Sequence, residues 1–464
     1  MSPYRPAPRL PASGLVLHDE VAAADFPQTV LRYRNNRAAA QVGLDVLSDA
    51  DWLRHFGRFE PLAGNQPVPL ALRYHGHQFR HYNPDLGDGR GFLYAQLLDD
   101  KDRLLDLGTK GSGQTPWSRG GDGRLTLKGG VREVLATAML EALGVPTSRS
   151  FSLIETGEAL MRGDEPSPTR SSVLVRLSHS HIRFGTFERL AYHSDADTMR
   201  QLVAFVIDNY YPEAGDAAGL FDAVVRTSAR LAAKWMAAGF VHGVLNTDNM
   251  NITGESFDYG PYRFLPWYDP NFTAAYFDHS GLYAYGRQPD AALWNLGQLG
   301  RSLTLISDSE PLVASFNAYA ELYDRELGLA LCVRLNLTPL ADNQALLDAV
   351  FALLRDLNFD GGFEGLFYDW FGGAASQTRA LNSPRASYYS GEAFAAFHTV
   401  LTDYETADAA KLDHPRFAGT DPETLLIDEI EAIWTDIANG DDWTQFYAKL
   451  DAIETYRQAL GLTS

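Results

Sequence analysis

The sequence is poor in cysteine and in positive charge. Its 464 residues include a single cysteine, Cys332, so no internal disulfide, thiolate metal site or cysteine redox pair can form. Lysine and arginine total 39 against 59 aspartate and glutamate residues, which gives a formal net charge of −20. Because nucleic acids and anionic membranes are bound through positive surface charge, we expect neither as a partner. A local basic pocket for a nucleotide is still compatible with this composition.

Long apolar runs and targeting segments are also lacking. No run of about 20 apolar residues occurs, which argues against a membrane-spanning helix. Residues 1–13 contain prolines at four positions and no apolar core, unlike a secretory signal. A cytoplasmic location is therefore the default expectation. Hydrophobic residues make up 45% of the chain and charged residues 21%, as in ordinary globular proteins.

The pattern of apolar residues changes along the chain from strand-like to helical. Short alternating runs between turn-forming residues predict strands, and apolar residues at steps of three and four predict helices. The predicted strands are 92–97, 103–109, 173–177 and a hairpin of 151–154 with 159–162 around a turn at 155–158. The predicted helices are 49–56 with Ser48 as its cap, 131–143, 220–236, 423–438 and 443–459.

One loop carries the most specific chemical signal. Residues 242–249 read H-G-V-L-N-T-D-N, and residues 258–260 read D-Y-G. Protein kinases carry H-R-D-x-x-x-x-N followed by D-F-G, in which the Asn and the second Asp hold magnesium. The kinase catalytic Asp is replaced here by Val244, which cannot accept a proton. The chain is therefore either an inactive kinase or an enzyme with different chemistry on a nucleotide.

Asn249 and Asp258 are the candidate metal ligands. A nucleotide-bound Mg²⁺ ion needs only one or two protein oxygens because phosphates and water supply the others. We expect the amide and the carboxylate on two sides of a β-hairpin. The neighbouring Asp248 is a candidate proton acceptor or second metal contact. The alternative for these residues is an ordinary turn in which the side chains cap their own backbone.

A lysine and a glutamate complete the kinase-like order. Lys110 follows a predicted strand, and Glu133 lies on the helix that comes next. Kinases pair such a Lys with a Glu to hold the nucleotide phosphates. The order of elements predicts an α+β, protein-kinase-like bilobal fold. Its parts are an N-terminal arm (1–60), a β-rich N-lobe (61–190) and a helical C-lobe with a C-terminal helical extension (191–464).

Glycines and arginines supply further candidates for phosphate binding. Residues 87–91 read G-D-G-R-G and residues 120–124 read G-G-D-G-R, on either side of Lys110. Glycine allows backbone N–H groups to approach an anion, although a plain tight turn explains either cluster alone. Arg176 and Arg183 have the planar guanidinium groups that suit phosphate oxygens, or else form surface ion pairs.

Together these residues resemble the selenoprotein O family, called YdiU in bacteria. The resemblance covers roughly residues 70–300. It rests on these segments: 75–79 (HGHQF), 86–90 (LGDGR), 110–119 (KGSGQTPWSR), 180–188 (SHIRFGTFE), 242–251 and 258–261 (DYGP). Members of this family are pseudokinases that transfer AMP to Ser, Thr or Tyr hydroxyls of proteins, with pyrophosphate leaving. UMP transfer with manganese is also associated with bacterial members.

The resemblance implies a kinase-like fold that binds ATP in a flipped orientation, and it implies roles for individual residues. Asn249 and Asp258 are expected to bind Mg²⁺, with Asp258 also touching the nucleotide, and Asp248 is expected to accept the proton. Glu133 is expected to support the site. The residues expected to bind the nucleotide are Gly87, Gly89, Arg90, Lys110, Asp122, Gly123, Arg176 and Arg183.

The chain also departs from the family pattern. Members usually have Gly at the position of Arg80 and Ala at that of Gly91, and 272–278 lacks their Cys-Asn-His run.

From the motifs and the resemblance together, we predict a protein adenylyltransferase that uses ATP and Mg²⁺, with Mn²⁺ as the alternative ion. The alternatives left open are UMP transfer, γ-phosphate transfer and a non-catalytic nucleotide-binding scaffold.

Overall fold

The computed structural model describes residues 3–356 and 362–462, with most strands in the first part of the chain and most helices after it. The strands are β1 (His18–Glu20), β2 (Val30–Arg34), β3 (Leu70–Leu72), β4 (Gly76–Gln78), β5 (His81–Asn83), β6 (Leu93–Leu98), β7 (Leu104–Lys110), β8 (Leu125–Thr126), β9 (Arg149–Leu160), β10 (Thr169–Ser178), β11 (Phe240–Val241) and β12 (Arg263–Phe264). The helices are α1 (Arg9–Ala12), α2 (Asn36–Gln41), α3 (Asp49–Phe56), α4 (Leu127–Ala142), α5 (Phe184–Tyr192), α6 (Ala196–Tyr210), α7 (Ala217–Ala237), α8 (Gln288–Leu303), α9 (Ser309–Asn317), α10 (Tyr319–Arg334), α11 (Gln344–Arg355), α12 (Phe363–Asp369), α13 (Gln377–Leu381), α14 (Gly391–Leu401), α15 (Ile427–Gly440) and α16 (Thr444–Leu460).

The main sheet is antiparallel and has the strand order β1-β3-β6-β7-β10-β9-β2, with β8 added beside β10. Two short hairpins, β4–β5 and β11–β12, lie outside it. Both edge strands, β1 and β2, come from the first 34 residues of the chain. The segment predicted to be an N-terminal arm is therefore built into the sheet, and the domain boundary at residue 60 stays a prediction.

Alternation along the central strands gives the sheet two different faces. Leu105 and Leu107 of β7 point to one face, where they pack in a cluster with Trp52 and Phe56 of α3. Because successive side chains in a strand point to opposite sides, Lys110 of β7 lies on the other face. That face is covered by α4, whose apolar residues pack against Leu153 and Leu174, among others. Lys110 is thus turned towards α4, where it pairs with Glu133.

Helix α4 begins four residues earlier than the predicted 131–143. The Thr126 side chain caps it by accepting a hydrogen bond from the Gly129 N–H at 3.1 Å. A Cβ atom on Gly130 would lie only 2.4 Å from the Leu153 side chain, so glycine allows the helix to approach the sheet closely. Gly129 and Gly130 are poor helix formers, so the sequence pattern did not include them in the helix. The Thr126 cap and the close packing explain why the helix includes them.

The predicted hairpin around 155–158 is wrong. β9 runs without interruption from Arg149 to Leu160 and pairs with β10 along its length. The polar residues that suggest a turn form a bulge in this strand, with Gly157 at φ +76°. Glu155 is held there by ion pairs with Arg170 and Arg32 on the two neighbouring strands.

Other boundaries agree with the predictions or shift by a few residues. Helix α3 occupies the predicted range, and Ser48 caps it by accepting the Asp51 N–H at 3.1 Å. Helix α7 extends the predicted 220–236 by a few residues and is capped by Asp216. Helix α15 starts four residues later than predicted because the Glu429 carboxylate caps the Leu426 N–H. Helix α16 matches its prediction to within one residue.

The structure establishes a mixed α/β fold with an antiparallel sheet followed by helices. The division into two kinase-like lobes stays a prediction. Within the described residues, no helix is both long enough and apolar enough to cross a membrane.

Candidate active site

A cavity of about 640 Å³ lies where the sheet meets the loop between β11 and β12. The predicted residues that line it are Gly87, Gly89, Arg90, Lys110, Asp122, Gly123, Arg176, Arg183, Asp248, Asn249 and Asp258. The remaining predicted residue, Glu133, lies behind Lys110 and lines an adjoining cavity. Segments that are far apart in the chain therefore converge on one space.

The loop that carries Asp248, Asn249 and Asp258 is closed at its base by β11 and β12, in which Phe240 pairs with Phe264. The expectation that Asn249 and Asp258 lie on two sides of a β-hairpin is wrong. Both lie inside the loop, with Asn249 at the end of a single 3₁₀ turn. The buried His242 holds the loop together because its Nε2 donates to the Phe257 carbonyl at 2.9 Å.

Lys110 joins the two sides of the cavity. Its Nζ contacts the Glu133 carboxylate and lies 2.7 Å from Asp258 Oδ1. The structure therefore brings together the Lys and Glu that the sequence order paired. Arg176 Nη1 lies 3.4 Å from the same Asp258 oxygen. Although burial opposes ionisation, Lys110 and Arg176 hold the pKa of Asp258 well below its usual range.

Two oxygens in this arrangement are free to bind a cation. The Asn249 amide donates through Nδ2 to the Val244 carbonyl at 3.0 Å, so its Oδ1 is left without a donor in the described chain. Asp258 uses Oδ1 for both cations, and Oδ2 accepts nothing from the residues described. Amide and carboxylate oxygens are the ligands that Mg²⁺ prefers. In the described ranges, no group of three or more His, Cys, Asp or Glu side chains could hold a metal ion alone.

Asp248 is a buried carboxylate in the wall of the cavity. Its exposed fraction is 8%, and its Oδ1 has no hydrogen-bond partner within the described residues. Burial raises the pKa of Asp248 to about 7, although the charge of Arg183 acts in the opposite direction. A buried carboxylate oxygen without a donor is costly unless a ligand or water satisfies it. Its position suits a group that receives a proton.

Arg183 is part of the wall rather than a free cation. Its guanidinium donates to the Asp248 carbonyl at 3.0 Å and to Asp88 Oδ1 at 3.1 Å. It also lies over the faces of Tyr74 and Phe257, at 4.3 and 4.9 Å from the ring centroids. Asp88 was not among the predicted residues because its burial and its hydrogen bond to the Leu72 N–H are not visible in the glycine cluster that contains it.

Close packing explains why glycine occurs at positions 87, 89 and 123 at least as well as phosphate binding does. A Cβ atom on Gly87 would lie 2.4 Å from the Trp117 side chain, and one on Gly89 would lie 2.8 Å from its carbonyl. A Cβ on Gly123 would lie 2.2 Å from the Gly113 carbonyl, and this residue also has φ +69°. The two glycine clusters are therefore places where backbone segments approach each other closely.

Arg90 and Asp122 differ in how they are paired. Arg90 lines the cavity, and its guanidinium forms no hydrogen bond or ion pair with the residues that the structure describes. Asp122 forms an ion pair with Arg162 at 2.8 Å and accepts the Arg124 N–H. Burial raises the pKa of Asp122, but these donors outweigh burial and lower it. Asp122 is therefore an anchor for neighbouring arginines, and Arg90 is available to a ligand.

Several lining residues were not predicted from the sequence. Trp117 and Arg119 lie within the segment 110–119 that carries the family resemblance, but no chemical pattern singled them out. Tyr74 and Arg162 also line the cavity. These contacts depend on how distant segments pack, and the sequence contains no periodic signal for them.

Comparison with known proteins gives one family. A family model described as "Protein adenylyltransferase SelO" matches residues 4–454. A relative from Synechocystis sp. named "Protein nucleotidyltransferase YdiU" is 46% identical over 96% of each chain. A relative of the same name from Trichormus variabilis is 44% identical over 97% of this chain and 96% of its own. Another from Mycobacterium sp. is 38% identical over 78% of this chain and 76% of its own.

Proposed function

This chain belongs to the SelO family of protein adenylyltransferases, and we propose that it transfers AMP from ATP to Ser, Thr or Tyr hydroxyls of proteins. The resemblance inferred from the sequence motifs is confirmed, and the chain is an enzyme of the nucleotidyltransferase class. The base transferred, the acceptor hydroxyl and the metal ion belong to the proposal.

The cations around the cavity are suited to a triphosphate. Lys110 and Arg176 already share the charge of Asp258, and the Arg90 guanidinium has no hydrogen-bond or ion-pair partner in the described chain. Charge-assisted hydrogen bonds from such groups are roughly twice as strong as neutral ones. We assign these three side chains to the phosphates, with Glu133 holding Lys110 in place.

Asn249 Oδ1 and Asp258 Oδ2 are the atoms that would hold a divalent cation. Both side chains line the same cavity, and both oxygens are free of other donors within the described residues. A bound Mg²⁺ would neutralise phosphate charge that develops as pyrophosphate leaves. Mn²⁺ also accepts carboxylate and amide oxygens, so this pair of ligands suits either ion.

The reaction requires one proton acceptor, and we assign this role to Asp248. The acceptor hydroxyl oxygen forms a bond to the α-phosphorus, and the bond from that phosphorus to the β-phosphate oxygen breaks. Pyrophosphate leaves with the bonding electrons, and the hydroxyl proton moves to the Asp248 carboxylate. Val244, at the position of the kinase base, cannot take this proton, which favours Asp248 in its place.

The observation that carries this proposal is the buried, incompletely bonded Asp248 carboxylate in a cavity lined by cations. Such a site combines a proton acceptor with groups that stabilise phosphate charge. The same chain keeps the kinase spacing between His242 and Asn249 but lacks the kinase base, which argues against ordinary γ-phosphate transfer.

Labelled ATP tests the proposal. The full chain is incubated with Mg²⁺ and ATP carrying the isotope at either the α- or the γ-phosphate, with casein and the enzyme itself as acceptors. We expect the α-label alone to appear in protein, together with released pyrophosphate. Transfer of the γ-label would identify a phosphotransferase, and no transfer of either label would identify a non-catalytic scaffold. Parallel reactions with UTP and Mn²⁺ separate AMP from UMP transfer.

A further inference from the structure

A short hairpin lies against Asp248. It consists of β4 and β5, and its first residue, Gly76, lies against the carboxylate. A Cβ atom on Gly76 would lie 3.0 Å from Asp248 Oδ1 and 3.2 Å from Thr247 Oγ1. The hairpin backbone is therefore in direct contact with the proposed proton acceptor, and its position limits where that carboxylate can lie.

Hydrogen bonds fasten the hairpin to the residues that precede Asp248. The His77 N–H donates to Thr247 Oγ1 at 2.7 Å, and the Phe79 N–H donates to Asn246 Oδ1 at 3.1 Å. Both acceptors are side chains of the loop that carries Asp248. The hairpin and the loop are thus joined by specific contacts rather than by packing alone.

Glu188 of α5 orients this junction from a buried position. Its Oε2 accepts the Thr247 hydroxyl at 3.0 Å, and its Oε1 accepts His77 Nδ1–H at 3.1 Å. A hydroxyl has one hydrogen, so a Thr247 that donates to Glu188 must accept from the His77 N–H. Because the exposed fraction of Glu188 is only 4%, solvent competes little for these hydrogen bonds, and they favour one orientation of Thr247.

The turn of the hairpin is conformationally unfavourable. Phe79 and Arg80 have φ values of 49° and 65°, a region that normally favours glycine or asparagine. Contacts with the helical part of the chain hold them there: Phe79 packs on Tyr283, and the Arg80 guanidinium lies 5.4 Å from the Trp294 ring centroid. Strain of this kind persists where the surroundings determine the conformation, and it is commonly found at functional sites.

Glu188 does not line the proposed nucleotide cavity. Together with His77 it lines a separate cavity of about 600 Å³. We propose that Glu188, acting through Thr247 and His77, is a positioning residue that holds Asp248 in place for proton transfer. This inference rests on the proposed function, since it concerns the acceptor in that reaction.

Matched substitutions test this role in the full chain. Glu188→Ala is expected to lower kcat for α-label transfer to casein by about 10–100-fold, because small misplacement of a reacting group can lower the rate by two orders of magnitude. KM for ATP should stay within about twofold, as Glu188 is outside the nucleotide cavity. Glu188→Gln keeps an acceptor for Thr247 and a polar partner for His77, so most of the rate should return.

A second pair of variants does not alter the buried glutamate. Thr247→Val removes the hydroxyl that joins the loop to Glu188 and should lower kcat as Glu188→Ala does. Thr247→Ser keeps the hydroxyl and should behave like the unsubstituted enzyme. An equal loss in both Thr247 variants, or a raised KM with unchanged kcat, would overturn the proposal. This pair also decides the question if Glu188→Ala fails to fold.

A double substitution separates positioning from an independent effect. If Glu188 acts through Asp248, then adding Glu188→Ala to Asp248→Asn should change the residual rate by less than about twofold. A full further loss would overturn the inference. Full activity of Asp248→Asn alone would instead reject the proposed proton acceptor. Amide exchange of residues 242–250, read by mass spectrometry, reports on the loop without catalysis, and Thr247→Val but not Thr247→Ser should accelerate it.

Discussion

Two buried clusters of arginines and carboxylates in this chain differ in how completely they are bonded. In the C-terminal part, Asp369 accepts hydrogen bonds from Ser383, from two nitrogens of Arg385 and from the Tyr389 hydroxyl, all within 2.9 Å. Asp369 has an exposed fraction of 1%. Both of its oxygens are satisfied, so this cluster is complete without any ligand.

The cluster at the proposed active site is incomplete. Asp248 Oδ1, Arg176 Nε and Arg183 Nε are buried there with no hydrogen-bond partner in the described chain. Buried polar groups in native proteins are generally paired, so unpaired ones need an explanation. We therefore expect the first cluster to contribute to stability and propose that the second binds a charged ligand.

The largest effect is expected from Asp258→Asn. Asparagine keeps the shape of the side chain and tolerates φ +66°, but it removes the charge shared by Lys110 and Arg176. We expect α-label transfer to fall by about 10⁴-fold, since charge stabilisation by a bound metal is worth several kcal/mol. Asp222→Asn, on the surface of α7, is the matched control. Near-normal transfer in the Asp258 variant would contradict the metal assignment.

Asp369→Asn should have the opposite effect: a loss of stability without a loss of activity per folded molecule. It leaves the buried Arg385 without its charge partner, and breaking a buried pair in this way costs about 3–5 kcal/mol. Urea denaturation should therefore show a large loss of stability, while the rate per folded molecule stays unchanged. If this variant instead kept its stability and lost activity, the contrast between the two clusters would be wrong.

Asp248→Asn should separate activity from stability within the active-site cluster. Loss of the proton acceptor is expected to lower kcat by about 10²–10³-fold. Its stability should be equal to or greater than that of the unsubstituted protein, because the cost of burying a negative charge, which raises the pKa of Asp248, is removed. Nucleotide affinity and thermal unfolding are measured beside kcat. A marked loss of stability would show that Asp248 has a structural role.

The smallest effect concerns a carboxylate outside both clusters. Burial raises the pKa of Glu255 from 4.5 to about 7. The folded state therefore binds the proton more tightly than the unfolded state, and this group lowers stability as pH rises from about 4.5 to 7. Glu255→Gln removes that dependence. The difference in free energy of unfolding between the variant and the unsubstituted protein should therefore grow by about 1–3 kcal/mol, in favour of the variant, as pH rises across this range. Urea denaturation at pH 5 and pH 8 measures the change, and a constant difference between the two proteins would refute it.

Much of the candidate active site could be predicted from the sequence, because its residues are recognised by their spacing along the chain. His242 and Asn249 keep the spacing of the kinase catalytic loop, Asp258 follows in a D-Y-G motif, and the order of strand and helix paired Lys110 with Glu133. The structure brings Asn249, Asp258 and Lys110 to one cavity, with Glu133 behind Lys110 and His242 holding the loop together. Periodicity likewise located α3, α7 and α16, since each has a regular apolar face.

Other features escaped prediction because their cause lies far away in the chain. The stretch 155–158 resembles a turn by composition, but Arg32 and Arg170 hold Glu155 inside a strand. By its sequence context, Asp88 is an ordinary residue of a glycine-rich turn. Only the structure shows that it pairs with Arg183, 95 positions later in the chain. In the sequence, nothing distinguishes Glu188 from other helical glutamates, and only the structure shows its contact with Thr247.

The sequence by itself determined the family, the alternation of the central strands and the set of charged groups available for nucleotide chemistry. These follow from residue type and local spacing, which one chain reveals directly. Only the tertiary structure decided which of those charges are satisfied by each other and which remain open to a ligand. Burial and hydrogen-bond pairing depend on the approach of segments about 100 residues apart, and no local pattern encodes that approach.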